Sequence, residues 1–368
     1  MEGRLCMENN LKLIVFDNAI ELGKKVNFSL QKMRETNENF IIPITATRFS
    51  NGEGKVKIDE TVRGKDLYIL SDVGNYNISY DFHGMKHYMS PDEHFQDIKR
   101  VISAMSGHAH KINLIMPLLY QSRQHKRKGR ESLDCALALQ ELERIGVSNI
   151  ITFDAHDPNV ANAVPCLSLD NFYPTNIILD KLIEENNVDN ILVISPDMGA
   201  MERARYYAEI LGCDVGLFYK RRDLSRVVNG KNPILDHTYL GRKADGMDVI
   251  VVDDMIASGG SMLECTEMLK KQGARKVYLA STFALFTDGV EKFDSYYKEG
   301  LFDKLYTTNL SYIPEEIQNK EWFSSADLSV MMANIIDRLN NNKSIESIHN
   351  GKSKIYKKVL EKKTEKEC

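Results

Sequence analysis

Val249-Ile-Val-Val-Asp-Asp-Met-Ile-Ala-Ser-Gly-Gly-Ser-Met262 is the stretch whose reading decides the fold. It opens as a β-branched run of the kind that forms a strand buried on both faces. It closes on two adjacent carboxylates, Asp253 and Asp254, followed by small residues and two glycines. An apolar helical pattern then begins at Met262-Leu263. A strand, a short Gly-rich turn and a helix form a phosphate cradle: backbone N–H groups point at the anion and the helix N-terminus adds positive potential. Carboxylates at the same turn accept hydrogen bonds from sugar hydroxyls. The stretch therefore predicts a ribose-phosphate site. An ordinary βα turn with surface aspartates is the plainer alternative.

Working outward, the same alternation recurs. Strand-like runs at 13–16, 66–70, 112–117 and 149–153 alternate with helical patterns at 19–34, 91–105 and 132–145. A second series places strands near 191–194, 215–219, 249–252 and 276–282, and helices near 174–185, 200–211, 262–272 and 290–299. Strands alternating with helices mean mostly parallel sheets flanked by helices. A chain of 368 residues is long for one core and fits two. The expectation is an α/β protein with two tandem domains, 11–173 and 174–348, and a Lys/Glu-rich tail at 349–368.

Composition narrows the function classes. A net charge of −4 suggests no bulk attraction to nucleic acid. The cysteines, Cys6, Cys135, Cys166, Cys213, Cys265 and Cys368, are scattered without a Cys-x-x-Cys, which fits a reducing cytoplasm better than a disulfide framework or a zinc cluster. No apolar run approaches a membrane span, and no signal-peptide pattern opens the chain. There is no G-x-x-x-x-G-K-[ST], so an ATP site here does not use a P-loop.

Further motifs follow the strands. Arg123-Gln-His-Lys-Arg-Lys-Gly-Arg130 carries five Lys or Arg residues at the carboxyl end of a parallel strand, where α/β sheets place ligands. Taken alone, such a run is more often a solvated loop. In Arg48-Phe-Ser-Asn-Gly-Glu53, Phe49 offers a stacking face, Asn51 and Glu53 offer acceptor oxygens, and Asn51-Gly52 is a plain turn signal. His156 in Phe153-Asp-Ala-His156 and Asp197 in Ser195-Pro-Asp-Met-Gly199 each stand directly after a strand; Asp197 also suits a helix N-cap. Tyr219-Lys-Arg-Arg222 puts Lys220 and Arg222 ahead of a polar, Gly-containing segment, 223–248, that reads as a lid.

In this order the motifs resemble the ribose-phosphate pyrophosphokinases (PRPP synthetases), from about residue 13 to the Ser344-Ile-Glu-Ser-Ile348 segment. The 249–262 loop is also similar to that of type I phosphoribosyltransferases. The resemblance implies two tandem phosphoribosyltransferase-like domains and transfer of diphosphate from ATP to ribose 5-phosphate. It implies ATP contacts at Phe49, Asn51, Gly52, Glu53, Arg123 and Gln124, and ribose 5-phosphate contacts at Asp253, Asp254, Ala257, Ser258, Gly259, Gly260 and Ser261. It further implies Mg²⁺ at His156 and Asp197, transition-state cations at Lys220 and Arg222, and a homo-oligomer in which the 49–53 hairpin completes a neighbour's ATP site. The chain departs from the family in several places. Ala257 replaces an acid and His125 an Asp, the basic stretch is one residue short before Arg130, and an acid found there in many members is missing. Phe283 stands where His is usual, the lid is longer, and residues 74–89, rich in Tyr and His, are inserted. Two rivals stay open: a PRPP-consuming transferase, and a catalytically decayed regulatory subunit.

Overall fold

A computed structural model describes residues 10–127, 129–186, 190–222 and 234–349. The chain divides into two compact units. The first comprises 1–173, 310–312 and 328–349; the second comprises 174–309, 313–327 and 350–368.

The first unit carries β1 (Leu11–Val15), α1 (Ile20–Met33), β2 (Ile44–Arg48), β3 (Gly54–Ile58), β4 (Asp66–Leu70), β5 (Ser79–Phe82), β6 (Met85–Tyr88), α2 (Pro91–Ala104), β7 (Lys111–Ile115), α3 (Asp134–Arg144), β8 (Asn149–Phe153) and β9 (Ser168–Phe172). β1, β4, β7, β8 and β9 form a parallel sheet in that order, each new strand added on the same side. β2–β3 and β5–β6 are separate antiparallel hairpins. β4 and β8 are buried along their whole length, as β-branched and leucine-rich strands in a parallel sheet must be. One core packs α2 and α3 on the sheet through Ile98, Val101, Leu139 and Leu142.

The second unit carries α4 (Thr175–Glu185), β10 (Ile191–Ser195), α5 (Met201–Leu211), β11 (Asp214–Arg222), β12 (Ile234–Leu240), β13 (Asp248–Ile256), α6 (Gly260–Lys271), β14 (Lys276–Ala284), α7 (Glu291–Lys298), β15 (Lys304–Thr308), α8 (Glu315–Gln318) and β16 (Phe323–Ala326). Its sheet runs β12-β11-β10-β13-β14-β15-β16, parallel except for β12. β13 is central, and its first residue is pinned: the fully buried Asp248 takes two hydrogen bonds from Arg275, at 2.8 and 2.6 Å. From β10 the chain crosses outward to β11, and from β13 it crosses the other way to β14. The order therefore reverses between β10 and β13, a topological switch point, and ligands of open α/β sheets bind outside the carboxyl ends of such strands.

Several elements depart from the sequence reading. The segment read as a lid contains β12, and only 223–233 of it falls outside the described residues. The segment read as an insertion, 74–89, contains the β5–β6 hairpin. α6 begins at Gly260, so the second glycine lies within the helix. α9 (Ser329–Asn340) belongs to the first unit, packed along α1. Arg34 meets Asp337 at 2.8 Å, and Asn340 donates to the buried Asp66 at 2.7 Å. A short α10 (Glu346–His349) ends the described chain, so the charged tail lies outside it.

Candidate active site

In the second unit two loops leave adjacent strands at the switch point. After β10, the fully buried Ser195 hydroxyl donates to the Asp197 carbonyl at 2.6 Å. Asp197 Oδ1 then accepts from the Gly199 and Ala200 amides at 2.8 and 3.1 Å, which orders the turn just before α5. The N-cap role read from the sequence is not taken up: Ala200 is the N-cap of α5, and among the described residues no side chain caps the helix there.

After β13 come Asp253 and Asp254. Asp254 is buried and Asp253 partly so. Burial raises the Asp253 carboxyl well above the ordinary range, the neighbouring Asp254 raises it further, Arg203 draws it down, and Asp197 raises it again. Each of two carboxyls held together out of water makes ionisation of the other harder. Arg203, on α5, is a cation near this pair that the motif reading did not single out.

The turn that follows is shaped by one glycine. Gly259 has φ +73°, and a Cβ there would run into the Phe293 ring. That ring stacks on Trp322 with centroids 5.7 Å apart. Only glycine combines that conformation with that approach. Among the described residues no side chain caps the start of α6, whose N-cap is Gly259 itself. A first helical turn receives anions on its amides, and this one is formed by Gly260 and Ser261 and flanked by Ala257 and Ser258. Lys220 and Arg222 lie at the end of β11, in register with His237 and Ile234 of β12. Their side chains lie outside what is described.

In the first unit Arg123 and Gln124 are exposed on a single 3₁₀ turn after β7, entered through Gln121 at φ +53°. His125 links this turn to the loop after β8. Its Nδ1–H donates to the Ser122 carbonyl at 3.0 Å. Its Nε2 lies 3.2 Å from Asp157 Oδ2, at ion-pair distance but off hydrogen-bond geometry. Its ring lies 5.4 Å from that of the exposed His156. Despite the cost of burial, hydrogen bonds from Asn159 and the charges of His125 and Lys126 hold the Asp157 carboxyl below its usual range. The structure thus brings Arg123, Gln124 and His156 together through His125, and adds Asp157, which no motif marked.

The 49–53 turn makes its contacts elsewhere. Phe49 is 48% exposed. Asn51 Nδ2 donates to Glu53 Oε2 at 2.9 Å, and the Glu53 amide donates to Asn51 Oδ1 at 3.1 Å. The turn thus carries hydrogen bonds of its own, and the Phe49 ring is half open to solvent. Among the described residues no three His, Cys, Asp or Glu side chains converge as a metal cluster, and no helix is long and apolar enough to cross a membrane.

Comparison with known proteins gives a consistent result. Residues 11–146 match the N-terminal domain of ribose phosphate pyrophosphokinase, and residues 173–309 match the phosphoribosyl transferase domain. The ribose-phosphate pyrophosphokinase of Vibrio cholerae serotype O1 is 28% identical over 311 residues, 83% of this chain and 90% of that protein. The one from Wolinella succinogenes is 29% identical over 308 residues, with the same 83% and 90% coverage. Among solved structures, phosphoribosylpyrophosphate synthetase from Mycobacterium smegmatis aligns with a TM-score of 0.74 at 23% identity, covering 90% of this chain and 99% of that one. The fold is thus the tandem pair of phosphoribosyltransferase-like α/β domains that the sequence leads one to expect.

Proposed function

The chain belongs to the ribose-phosphate pyrophosphokinase family, and we propose that it transfers diphosphate from ATP to the anomeric hydroxyl of ribose 5-phosphate, giving PRPP and AMP. The observation that carries this reading is the pairing of two loops at the β10/β13 switch point. One presents Asp253 and Asp254 beside the uncapped start of α6, and the other presents Asp197.

In this reading the first turn of α6 takes the 5-phosphate, with Ser258, Gly259, Gly260 and Ser261 surrounding it, while the acidic pair accepts from the ribose hydroxyls. The anomeric oxygen bonds to the β-phosphorus as the bond to the bridging α,β-oxygen breaks and AMP leaves. Lys220 and Arg222 meet charge that grows on the transferring group, the role in which preorganised cations lower a phosphoryl-transfer barrier. Phe49, Asn51, Gly52 and Glu53, with Arg123 and Gln124, receive ATP. A homo-oligomer whose 49–53 turn serves a neighbour's site accounts for the exposed Phe49 ring.

The donor set fits Mg²⁺. That ion favours oxygen ligands and is commonly held by one or two carboxylates together with substrate phosphates, not by a closed protein cage. Each unit offers a donor of its own: Asp197 in the second supplies a carboxylate with one oxygen already fixed by amides, and His156 in the first supplies a ring nitrogen. Bound there, the cation would neutralise phosphate charge. ATP and ribose 5-phosphate place this chemistry in the cytoplasm, in line with the cysteine usage.

Purified protein supplied with Mg-ATP and ribose 5-phosphate, and assayed for AMP and PRPP, tests the reading. AMP formation that depends on ribose 5-phosphate supports it. Pyrophosphate release from PRPP and a base, without AMP formation, would point to a transferase. Neither activity would point to a regulatory subunit, the reading that Ala257 and His125 favour.

A further inference from the structure

Residues 74–89 are an addition to the family pattern, and the structure makes most of them a hairpin. β5 and β6 pair antiparallel, with Tyr80 opposite His87 and Phe82 opposite Met85. The two turn residues, His83 and Gly84, both have positive φ, 48° and 78°, as a tight two-residue hairpin turn needs. A two-stranded hairpin is marginal in water on its own, so its outside contacts carry its stability.

Those contacts fall on the tip of the β2–β3 hairpin and on the residue that leads into it. At the tip, the His83 amide donates to the Ser50 carbonyl at 3.0 Å. A Cβ on Gly52 would lie 2.9 Å from Phe82 Cε2, so the ring sits directly on the face of that glycine, whose φ is +88°. Next to the tip, the Arg48 guanidinium lies 5.7 Å over the Tyr80 ring and pairs with Asp97 at 2.7 Å. The far side of the insertion is anchored on α2. The Tyr80 hydroxyl donates to Glu93 at 2.8 Å, and His87 Nε2 meets the same carboxyl at 3.0 Å. Against the cost of burial, hydrogen bonds from Ser90, His87 and Tyr80 hold Glu93 at about 2, so the anchor is ionised at neutral pH.

We propose that the inserted β5–β6 hairpin positions the 49–53 turn for ATP, with Phe82 on Gly52 and His83 on Ser50 as the bracing contacts. The proposal rests on the reading of that turn as adenine-binding. A loop tip that must be ordered at each binding event weakens affinity by the fraction of time it is disordered. A brace built into the same chain removes that cost without touching the reacting atoms. Phe82 is therefore a positioning residue.

The test is Phe82→Ala in the full-length protein, with Phe82→Leu as the variant that keeps an apolar contact. Amide exchange at 49–53 is expected to quicken about tenfold, and KM for ATP to rise about tenfold, while kcat and KM for ribose 5-phosphate stay within about twofold. Phe82→Leu should recover most of both effects. Unchanged exchange at 49–53, or a common fall in every kinetic parameter, overturns the proposal. Should the parent protein form no AMP from ATP and ribose 5-phosphate, the proposed function is what fails. ATP titration of parent and Phe82→Ala by calorimetry then decides the brace: affinity about tenfold weaker in the variant supports it, and equal affinity overturns it.

Discussion

The Asp254 amide donates to Asp253 Oδ1 at 2.9 Å, which holds the two carboxyls side by side at the carboxyl end of β13. Burial and the neighbouring acid raise the Asp253 carboxyl well above 3.8. A carboxyl raised in the fold gives stability that is complete below its unfolded value and lost as pH rises through its folded value. At neutral pH the pair therefore costs stability, and its use lies in the ligand. Asp253→Asn is expected to weaken ribose 5-phosphate binding, since the amide puts an NH₂ donor where the carboxyl offered an acceptor oxygen to the sugar hydroxyls. The same variant should be more stable than the parent, by a margin that grows from about pH 4 upward. Denaturant midpoints across that range, beside sugar-phosphate titrations, check both halves. A stability difference that does not vary with pH would contradict the account.

The turn after the pair depends on Gly259. Gly259→Ala adds a Cβ at φ +73° into the Phe293 ring. A strained left-handed backbone costs about 1–2 kcal/mol, and displacing a ring stacked on Trp322 adds to that. The start of α6 should shift, so KM for ribose 5-phosphate rises while KM for ATP moves less. Steady-state kinetics and a thermal melt measure the two effects. An unchanged KM for ribose 5-phosphate would remove α6 from the phosphate site.

Asp72 offers a separate pH dependence. It is 2% exposed, accepts from the Tyr312 amide at 2.8 Å and the Ser311 hydroxyl at 3.0 Å, and so ties 310–312 into the first unit. Burial pushes its carboxyl up to about 6, against the pull of those hydrogen bonds. Its contribution is complete below 3.8 and lost as pH rises through about 6, a change of about 3 kcal/mol. Asp72→Asn should flatten that slope. In acid it should also lose about 1–3 kcal/mol, because an amide NH₂ then faces the Tyr312 N–H. Urea unfolding near pH 4 and pH 7 separates the two, and parallel curves for parent and variant would refute the assignment.

The parallel strands and their helices were legible because β-branched runs and 3.6-residue periodicity are local signals. β13 and its loop read correctly for that reason. β12 was not legible: Ile234-Leu-Asp-His-Thr-Tyr-Leu240 is polar at its centre and becomes a strand only through its pairing with β11. β16 is four residues long, and its Ser324 is satisfied by Glu185, a partner 139 residues away. Periodicity marks α9 as amphipathic but does not say which core it joins; Arg34 and Asp66 decide that. At the site, Asp253, Asp254 and Gly259 stood in one segment, whereas the His125–Asp157 pair and the Asp72–Ser311 tie join distant segments that no motif connects.

The cations at the end of β11 are expected to act on the chemical step. Lys220→Ala or Arg222→Ala should lower kcat by about 100-fold or more, with smaller effects on ribose 5-phosphate binding. Single-turnover rates alongside KM values make the distinction. A variant that altered KM alone would have lost a binding contact and not a transition-state one.

The last prediction concerns the shared site, and it rests on the exposure of Phe49. A ring 48% open to water, at the tip of a hairpin whose Asn51 and Glu53 are bonded to one another, has no core of its own to enter. If a neighbouring subunit receives it, a subunit by itself lacks part of its ATP site. Two inactive variants should then rescue each other: one with Phe49→Ala and Glu53→Ala, the other with Lys220→Ala. In a two-fold mixed interface, one site combines an intact hairpin with an intact Lys220, and the other collects both defects. Mixing under conditions that exchange subunits should restore activity, up to about half per mixed pair. Exchange itself is followed by differently tagged chains, so a failure to mix is not mistaken for a failure to complement. Verified exchange without recovery, or full activity in a demonstrated monomer, would return the hairpin to its own subunit's site.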